Sequence, residues 1–174
     1  MLTGVAPVAN GGTGATSFTA GISEVDNWRI TSNFTGDANP IASNWERNDT
    51  DFDKIGTGLS QSSGVFSFPS TGIYLITAFF RFQFSGDSFY NEGEIQVTTN
   101  NSSYTTRASN SGFIQQTSGS ATQNNSSTST IIDCTNISNV KFRITQNVAD
   151  NGVETNGETN DNRTFFTSIR LGDT

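Results

Sequence analysis

The chain contains no histidine and a single cysteine. Without histidine it lacks the commonest general base and the commonest metal ligand, and the ordinary Ser-His-Asp hydrolase triad cannot be built. A lone Cys134 rules out an intrachain disulfide. Set in Thr130-Ile131-Ile132-Asp133-Cys134, it reads as a small buried hydrophobe. Basic residues are scarce too: Lys54 and Lys141 are the only lysines, and the formal net charge is -7. Nucleic-acid binding needs clustered cations and a membrane surface patch needs a polybasic run, so neither partner is expected. No apolar run approaches the roughly 20 residues needed to span a bilayer as a helix. Met1 is not followed by the basic and apolar segments of a secretory signal. Helical periodicity of useful length is missing, as are the long internal repeats of a β-helix.

What the chain does have is one concentrated apolar stretch in a background of Ser, Thr, Asn and Gly. Gly64 to Ser85 reads GVFSFPSTGIYLITAFFRFQFS. In steps of two, Tyr74, Ile76, Ala78, Phe80, Phe82 and Phe84 share one side of an extended strand, the period of a buried β face. The opposite side starts apolar with Ile73 and Leu75, includes Phe79, and turns polar at Arg81, Gln83 and Ser85. A strand that is apolar on both sides over part of its length requires a second cover, from another sheet or another chain. Val65, Phe66 and Phe68 form a short strand before it, and Pro69-Ser70-Thr71-Gly72 has the turn chemistry to connect them.

The rest of the chain reads as further short strands. Trp28, Ile30 and Phe34 mark an irregular first strand, Gly36 to Pro40 a turn, and Ile41 to Arg47 a second strand carrying Trp45. Ile95 and Val97 alternate with polar neighbours. Tyr104 to Gln116 is strand-like, Thr117 to Ser127 a loop or exposed strand start, and Thr128 to Cys134 a buried strand. Val140, Phe142 and Ile144 define another half-buried strand, and Phe165 to Leu171 the last. Val148 to Asn162, VADNGVETNGETNDN, reads as a long acidic loop. About eight to ten short strands place the chain among all-β sandwiches.

Gly64 to Ile76 resembles the signature of the globular heads of the complement and tumour-necrosis-factor (TNF) superfamily, roughly G-x-F-x-F-P-x-x-G-x-Y. Less strictly, the resemblance extends from Asp26 to Asp173. It implies an antiparallel jelly-roll β-sandwich over residues 25–174, assembled as a homotrimer, with the last strand beside the first. The implied trimer seam would use Ile73, Leu75, Phe79 and Phe166. Ahead of this head, residues 1–24 are Gly/Thr-rich, and Val8 to Ser17, VANGGTGATS, resembles a connector motif of bacteriophage tail-fibre and related virion proteins. That resemblance implies a close-packed stem, in which glycines let backbones approach, and contact with other virion proteins through the leader.

Candidate sites follow from the loops. Trp45 could offer a sugar-stacking surface, although packing under the sandwich edge is the expectation favoured for an aromatic of this kind. Asp150, Glu154 and Glu158 could contact a host-surface glycan or protein. Asp49, Asp51 and Asp53 open like a calcium loop, but Lys54 stands where glycine is needed and Ser60 where the closing glutamate belongs. With Asp150 and Asp161 they are the calcium candidates, and no cofactor is expected. Paired carboxylates suited to glycan cleavage are not marked by the sequence. The resulting expectation is a non-catalytic virion structural protein, a trimeric fibre or appendage head acting in host attachment. The alternatives are a receptor-independent trimerisation or decoration cap, a secreted TNF-like signalling ligand, and a glycan-cleaving enzyme.

Overall fold

The apolar stretch forms a 13-residue strand, Gly72–Phe84, at the centre of a two-layer antiparallel sandwich. A computed structural model describes residues 21–117 and 119–174. The strands are β1 Val25–Ile30, β2 Phe34–Thr35, β3 Trp45–Arg47, β4 Lys54–Ile55, β5 Ser60–Ser62, β6 Val65–Ser67 and β7 Gly72–Phe84. They continue with β8 Ser88–Thr98, β9 Thr105–Ile114, β10 Thr122–Cys134, β11 Lys141–Val148, β12 Glu154–Thr155 and β13 Phe165–Gly172. The stem and virion-connector reading covers residues 1–24, of which 1–20 lie outside the described residues; the Glu24 carbonyl accepts from Arg170 N at 3.0 Å and so joins the sandwich.

The larger sheet runs β2-β12-β7-β13-β1-β3, with β10 on the other edge of β7 and β4 against β1; the smaller runs β5-β6-β11-β8-β9. Every strand pairing is antiparallel and the last strand lies beside the first, Trp28 opposite Phe166. This is the expected all-β jelly-roll sandwich. β10 pairs with β7 along its whole length, from Cys134 opposite Gly72 to Thr122 opposite Phe84. It begins well before Thr128, because backbone pairing to β7 sustains a polar half-strand that its side chains alone do not announce.

Alternation fixes the core as the sequence suggests. Tyr74, Ile76, Ala78, Phe80 and Phe82 are buried, and Phe84 packs at the edge of the same cluster. Opposite them stand Phe66, Ile95, Val97, Phe142 and Ile144 from the smaller sheet. Phe66 is the hub: it meets Trp28, Trp45 and Phe166 edge-on at 5.4, 5.3 and 4.6 Å and stacks on Phe142 at 5.3 Å. Edge-to-face contacts of this kind add to the area the rings bury.

The signature residues each have a mechanical reason. Gly64 and Gly72 have φ of +78° and +149°, and a Cβ on Gly64 would fall on the carbonyl of Ile41; only glycine combines that backbone with that closeness. Tyr74 donates its hydroxyl hydrogen to the Ser70 carbonyl at 3.0 Å, tying the start of β7 to the turn before it. That turn carries the chain from one sheet to the other, from β6 to β7, and is not a hairpin.

A buried ion pair locks the first strand. Asp26, 2% exposed, accepts from Arg47 Nε at 2.8 Å, Arg47 Nη2 at 3.1 Å and Leu59 N at 2.6 Å. The Arg47 guanidinium also lies 4.7 Å from the Trp28 ring centroid. Replacing one member of such a pair strands the other without its partner. Because Arg47 is a quarter exposed, Asp26→Ala is expected to lower the unfolding free energy by about 1.5–3 kcal/mol in urea titration; a loss within about 0.5 kcal/mol, the range of ordinary surface changes, would show that the pair anchors nothing.

Burial raises both the Cys134 thiol and the Tyr74 phenol above their ordinary values, 9.0 and 10.0. Their contribution to stability is fully present below those values. It is lost as pH rises from the ordinary to the raised value, because the unfolded chain ionises first. Stability is expected to fall above about pH 9, with Cys134→Ala removing the first part of the fall in pH-dependent thermal melts; a flat alkaline profile would contradict this.

Candidate functional site

The outward face of the larger sheet carries an ordered, partly exposed apolar surface. On β7 the odd-numbered residues Ile73 to Gln83 point away from the core. Cross-strand register lines them up in rows: Val25, Ile169, Leu75 and Ile131 form one row across β1, β13, β7 and β10. Two residues along, Asn27, Thr167, Thr77 and Ser129 form the next. Phe165 and Phe79 lie opposite each other in the third and stack at 4.7 Å with an interplanar angle of 12°. Phe79 is 38% exposed and Ile131 63% exposed.

The face has a polar end. Arg81 Nη2 donates to Gln123 Oε1 at 2.8 Å, and Gln123 Nε2 to Gln83 Oε1 at 3.1 Å. At the β1 side Arg29 is covered, although it lies in the Phe165 row. Its guanidinium is held by Glu46 at 3.1 Å, Asn48 at 3.1 Å and Asp49 at 2.9 Å. The segment after β3 thus folds over the edge of the face and leaves its apolar centre open.

Of the expected seam residues, Ile73, Leu75 and Phe79 stand on this face. Phe166 does not. It lies opposite Ala78, points inward and is fully buried in the aromatic core. Successive strand residues alternate sides, so the outward aromatic of the final strand is its neighbour Phe165. In an F-F pair, composition cannot say which ring faces in; only register against β7 decides.

Trp45 is half-buried and packs against the core. Its ring meets Phe66 at 5.3 Å and Phe166 at 5.4 Å, and its indole N–H donates to the Ile41 carbonyl at 2.7 Å. The ring thus packs under the sandwich edge, as favoured above, and is half-buried rather than a free sugar-stacking surface. Trp45→Ala is expected to destabilise by about 3–5 kcal/mol, the cost of emptying a large aromatic site, measured by urea unfolding; a cost within about 0.5 kcal/mol would return the ring to the surface.

The acidic candidates do not converge. Among the described residues no group of three or more His, Cys, Asp or Glu could hold a metal ion. Asp49 pairs with Arg29, and Asp53 lies 3.8 Å from the Lys54 ammonium, while Asp51 is exposed. The 148–162 segment is not one open loop. Its middle forms β12 between β2 and β7, with Val153, Thr155 and Asn156 buried. Thr155 hydrogen-bonds Gln146, and Asn156 N donates to the Arg81 carbonyl at 2.8 Å. Glu154 accepts from Asn33 at 2.8 Å, Glu158 lies 3.5 Å from Arg163, and Arg163 is also 3.5 Å from Asp161. Asp150 remains exposed and accepts from Gly152 N at 2.7 Å. A segment built from Asn, Thr, Gly and Glu reads as loop because its burial rests on hydrogen bonds, which hydropathy does not register.

Sequence reading missed a polar constellation on the opposite surface of the molecule. Glu94 Oε2 accepts from Gln96 Nε2 at 2.8 Å, Thr145 Oγ1 at 2.9 Å and Thr106 Oγ1 at 3.1 Å. Gln96 Oε1 in turn accepts from Arg143 Nε at 2.8 Å. The Arg143 guanidinium lies 4.2 Å from the Tyr104 ring centroid. Alternating polar residues on β8 and β11 were legible as a wet strand face, but not as a connected one.

No family model and no curated protein matches the chain. Solved structures do. The chain is similar to Eiger TNF from S. frugiperda at 12% identity and TM-score 0.61, covering 86% of this chain and 93% of that one. It is also similar to murine APRIL at 13% identity and TM-score 0.55, covering 85% of this chain and 98% of that one. At such identities the likeness shows the fold, a TNF-like jelly roll, and function has to be argued from the surfaces.

Proposed function

We propose that this protein is a non-catalytic virion structural protein of a bacteriophage, the trimeric head of a tail fibre or other surface appendage, acting in host attachment. The observation that carries the reading is the apolar centre of the larger sheet's outward face. A row of Val25, Ile169, Leu75 and Ile131 beside the Phe79–Phe165 stack is the kind of contiguous apolar surface that marks an interface. Three copies closing around an axis bury such a face without leaving an open end. The connector-like motif Val8 to Ser17 supports placing the head on a fibre, and the fold suits a compact trimer. Charge near the seam is already neutralised within the chain, Arg29 by Glu46 and Asp49.

A non-catalytic role fits a chain without histidine whose acidic side chains at the candidate loops, Asp51 apart, are engaged with arginine, lysine, asparagine or backbone N–H groups. Attachment would be multivalent, three weak contacts adding to a firm one. The receptor-independent cap uses the same seam and differs in having no surface that adheres to cells.

Light scattering on the purified chain tests the assembly. The expected mass is three times the 18.6 kDa of the chain, with or without a calcium chelator. Phe79→Asp is expected to weaken association by about tenfold or more, the effect of a central interface residue. Phe166→Ala should instead lower stability at every protein concentration, since its ring lies in the core. A wild-type chain that stays monomeric at high concentration would overturn the reading.

A further inference from the structure

The attachment reading leaves open which surface meets the host, and the outward face of the smaller sheet carries an answer. Between the Asp37–Asn39 turn and strands β11, β8 and β9 lies a cleft of about 300 Å³, lined by Asp37, Asn39, Glu94, Gln96, Thr106 and Thr145 among others. We propose that this cleft binds a neutral saccharide of the host surface, one in each subunit.

The first ground is preorganisation. Exposed polar side chains are ordinarily solvated one by one, and holding each in place costs rotamer entropy on binding. Here Arg143, Gln96, Glu94, Thr106 and Thr145 are joined across three strands by five hydrogen bonds of 2.8 to 3.3 Å. Gln96 is 8% exposed and Thr145 2% exposed. Strand register produces the arrangement: Thr145 stands opposite Glu94, Arg143 opposite Gln96, and Gln96 opposite Thr106. The ladder is rigid before any ligand arrives.

The second ground is what the ladder leaves unused. All three donors to Glu94 fall on Oε2, so Oε1 has no partner among the described residues. Asp37 accepts from Val148 N at 2.8 Å through Oδ1, which leaves Oδ2 in the same state. Glu94 and Asp37 both line the cleft. Ionised carboxylate oxygens form the stronger hydrogen bonds, and a ligand's hydroxyl donors can replace the solvent that reaches them.

The third ground is charge. The lining contains two carboxylates, amides and hydroxyls, and no cationic side chain; Arg143 lies outside it, on Tyr104 and Gln96. Phosphates, sialic acids and uronates are repelled. Among the described residues no third His, Cys, Asp or Glu joins the two carboxylates as a metal-holding group. A pyranose ring offers several adjacent hydroxyl donors, has the size of the cleft, and carries no charge. The site lies on the sheet opposite the apolar seam, so trimerisation leaves it open.

The inference rests on the attachment reading, and its test separates the two. The labelled full-length chain is applied to an array of neutral hexose, deoxyhexose and N-acetylhexosamine oligosaccharides beside uronate- and sialate-bearing ones, and in parallel to whole cells of a panel of bacterial strains. Wild type is expected to bind neutral sugars. Glu94→Gln removes the charged acceptor and should weaken that binding by about tenfold or more, with native mass unchanged. Asp37→Asn, which keeps the bond to Val148 N and lies outside the ladder, should weaken it as well; it carries the test if Glu94→Gln melts early. Cell adherence that survives both variants, or sugar binding confined to acidic glycans, overturns the site and leaves attachment standing. Absence of adherence to every strain and every sugar overturns both.

Discussion

The structure depends on β7 being hydrogen-bonded along both edges. On one side β10 runs its full length, and on the other β13 and then β12 share it. A strand so placed cannot slip by one residue without exchanging its faces. That exchange would bring Arg81 and Gln83 into the core and push Phe80 and Phe82 into water, so the register is fixed by the chain's largest apolar side chains. The aromatic hub around Phe66 and the Asp26–Arg47 pair are built on the frame this produces.

From that frame two surfaces of opposite character follow. The larger sheet presents outward rows that are apolar in the middle and polar at one end. The smaller sheet presents a hydrogen-bonded polar ladder. The two lie back to back across one core. The covered Arg29 shows how the boundary is kept: a cation in an apolar row is sealed by Glu46, Asn48 and Asp49 and removed from the seam.

Much of the fold was legible in the sequence, and the reasons for success and failure are physical. Period-two alternation in 74–84 identified the buried face of β7, and the Gly64 to Ile76 signature identified the sandwich, because its glycines, aromatics and Tyr74 each meet a geometric demand. The pairing of first and last strands came from the resemblance. What failed was whatever depended on register or hydrogen bonding. Phe165 and Phe166 are chemically identical neighbours with opposite surroundings. The 148–162 segment hides a strand because Thr155 and Asn156 are buried by polar contacts. The Glu94 ladder joins residues from β8, β9 and β11, a convergence that no local pattern carries.

The interleaving of the two faces on β7 has a consequence for descent. Even-numbered residues from Tyr74 to Phe82 answer to the interior, and odd-numbered ones from Ile73 to Gln83 to whatever lies outside. Neighbouring positions thus meet unrelated physical demands. A lineage can rewrite the outer set to suit a new neighbour while the inner set, one position away, stays as it was, and divergence along this strand need not be divergence of the fold.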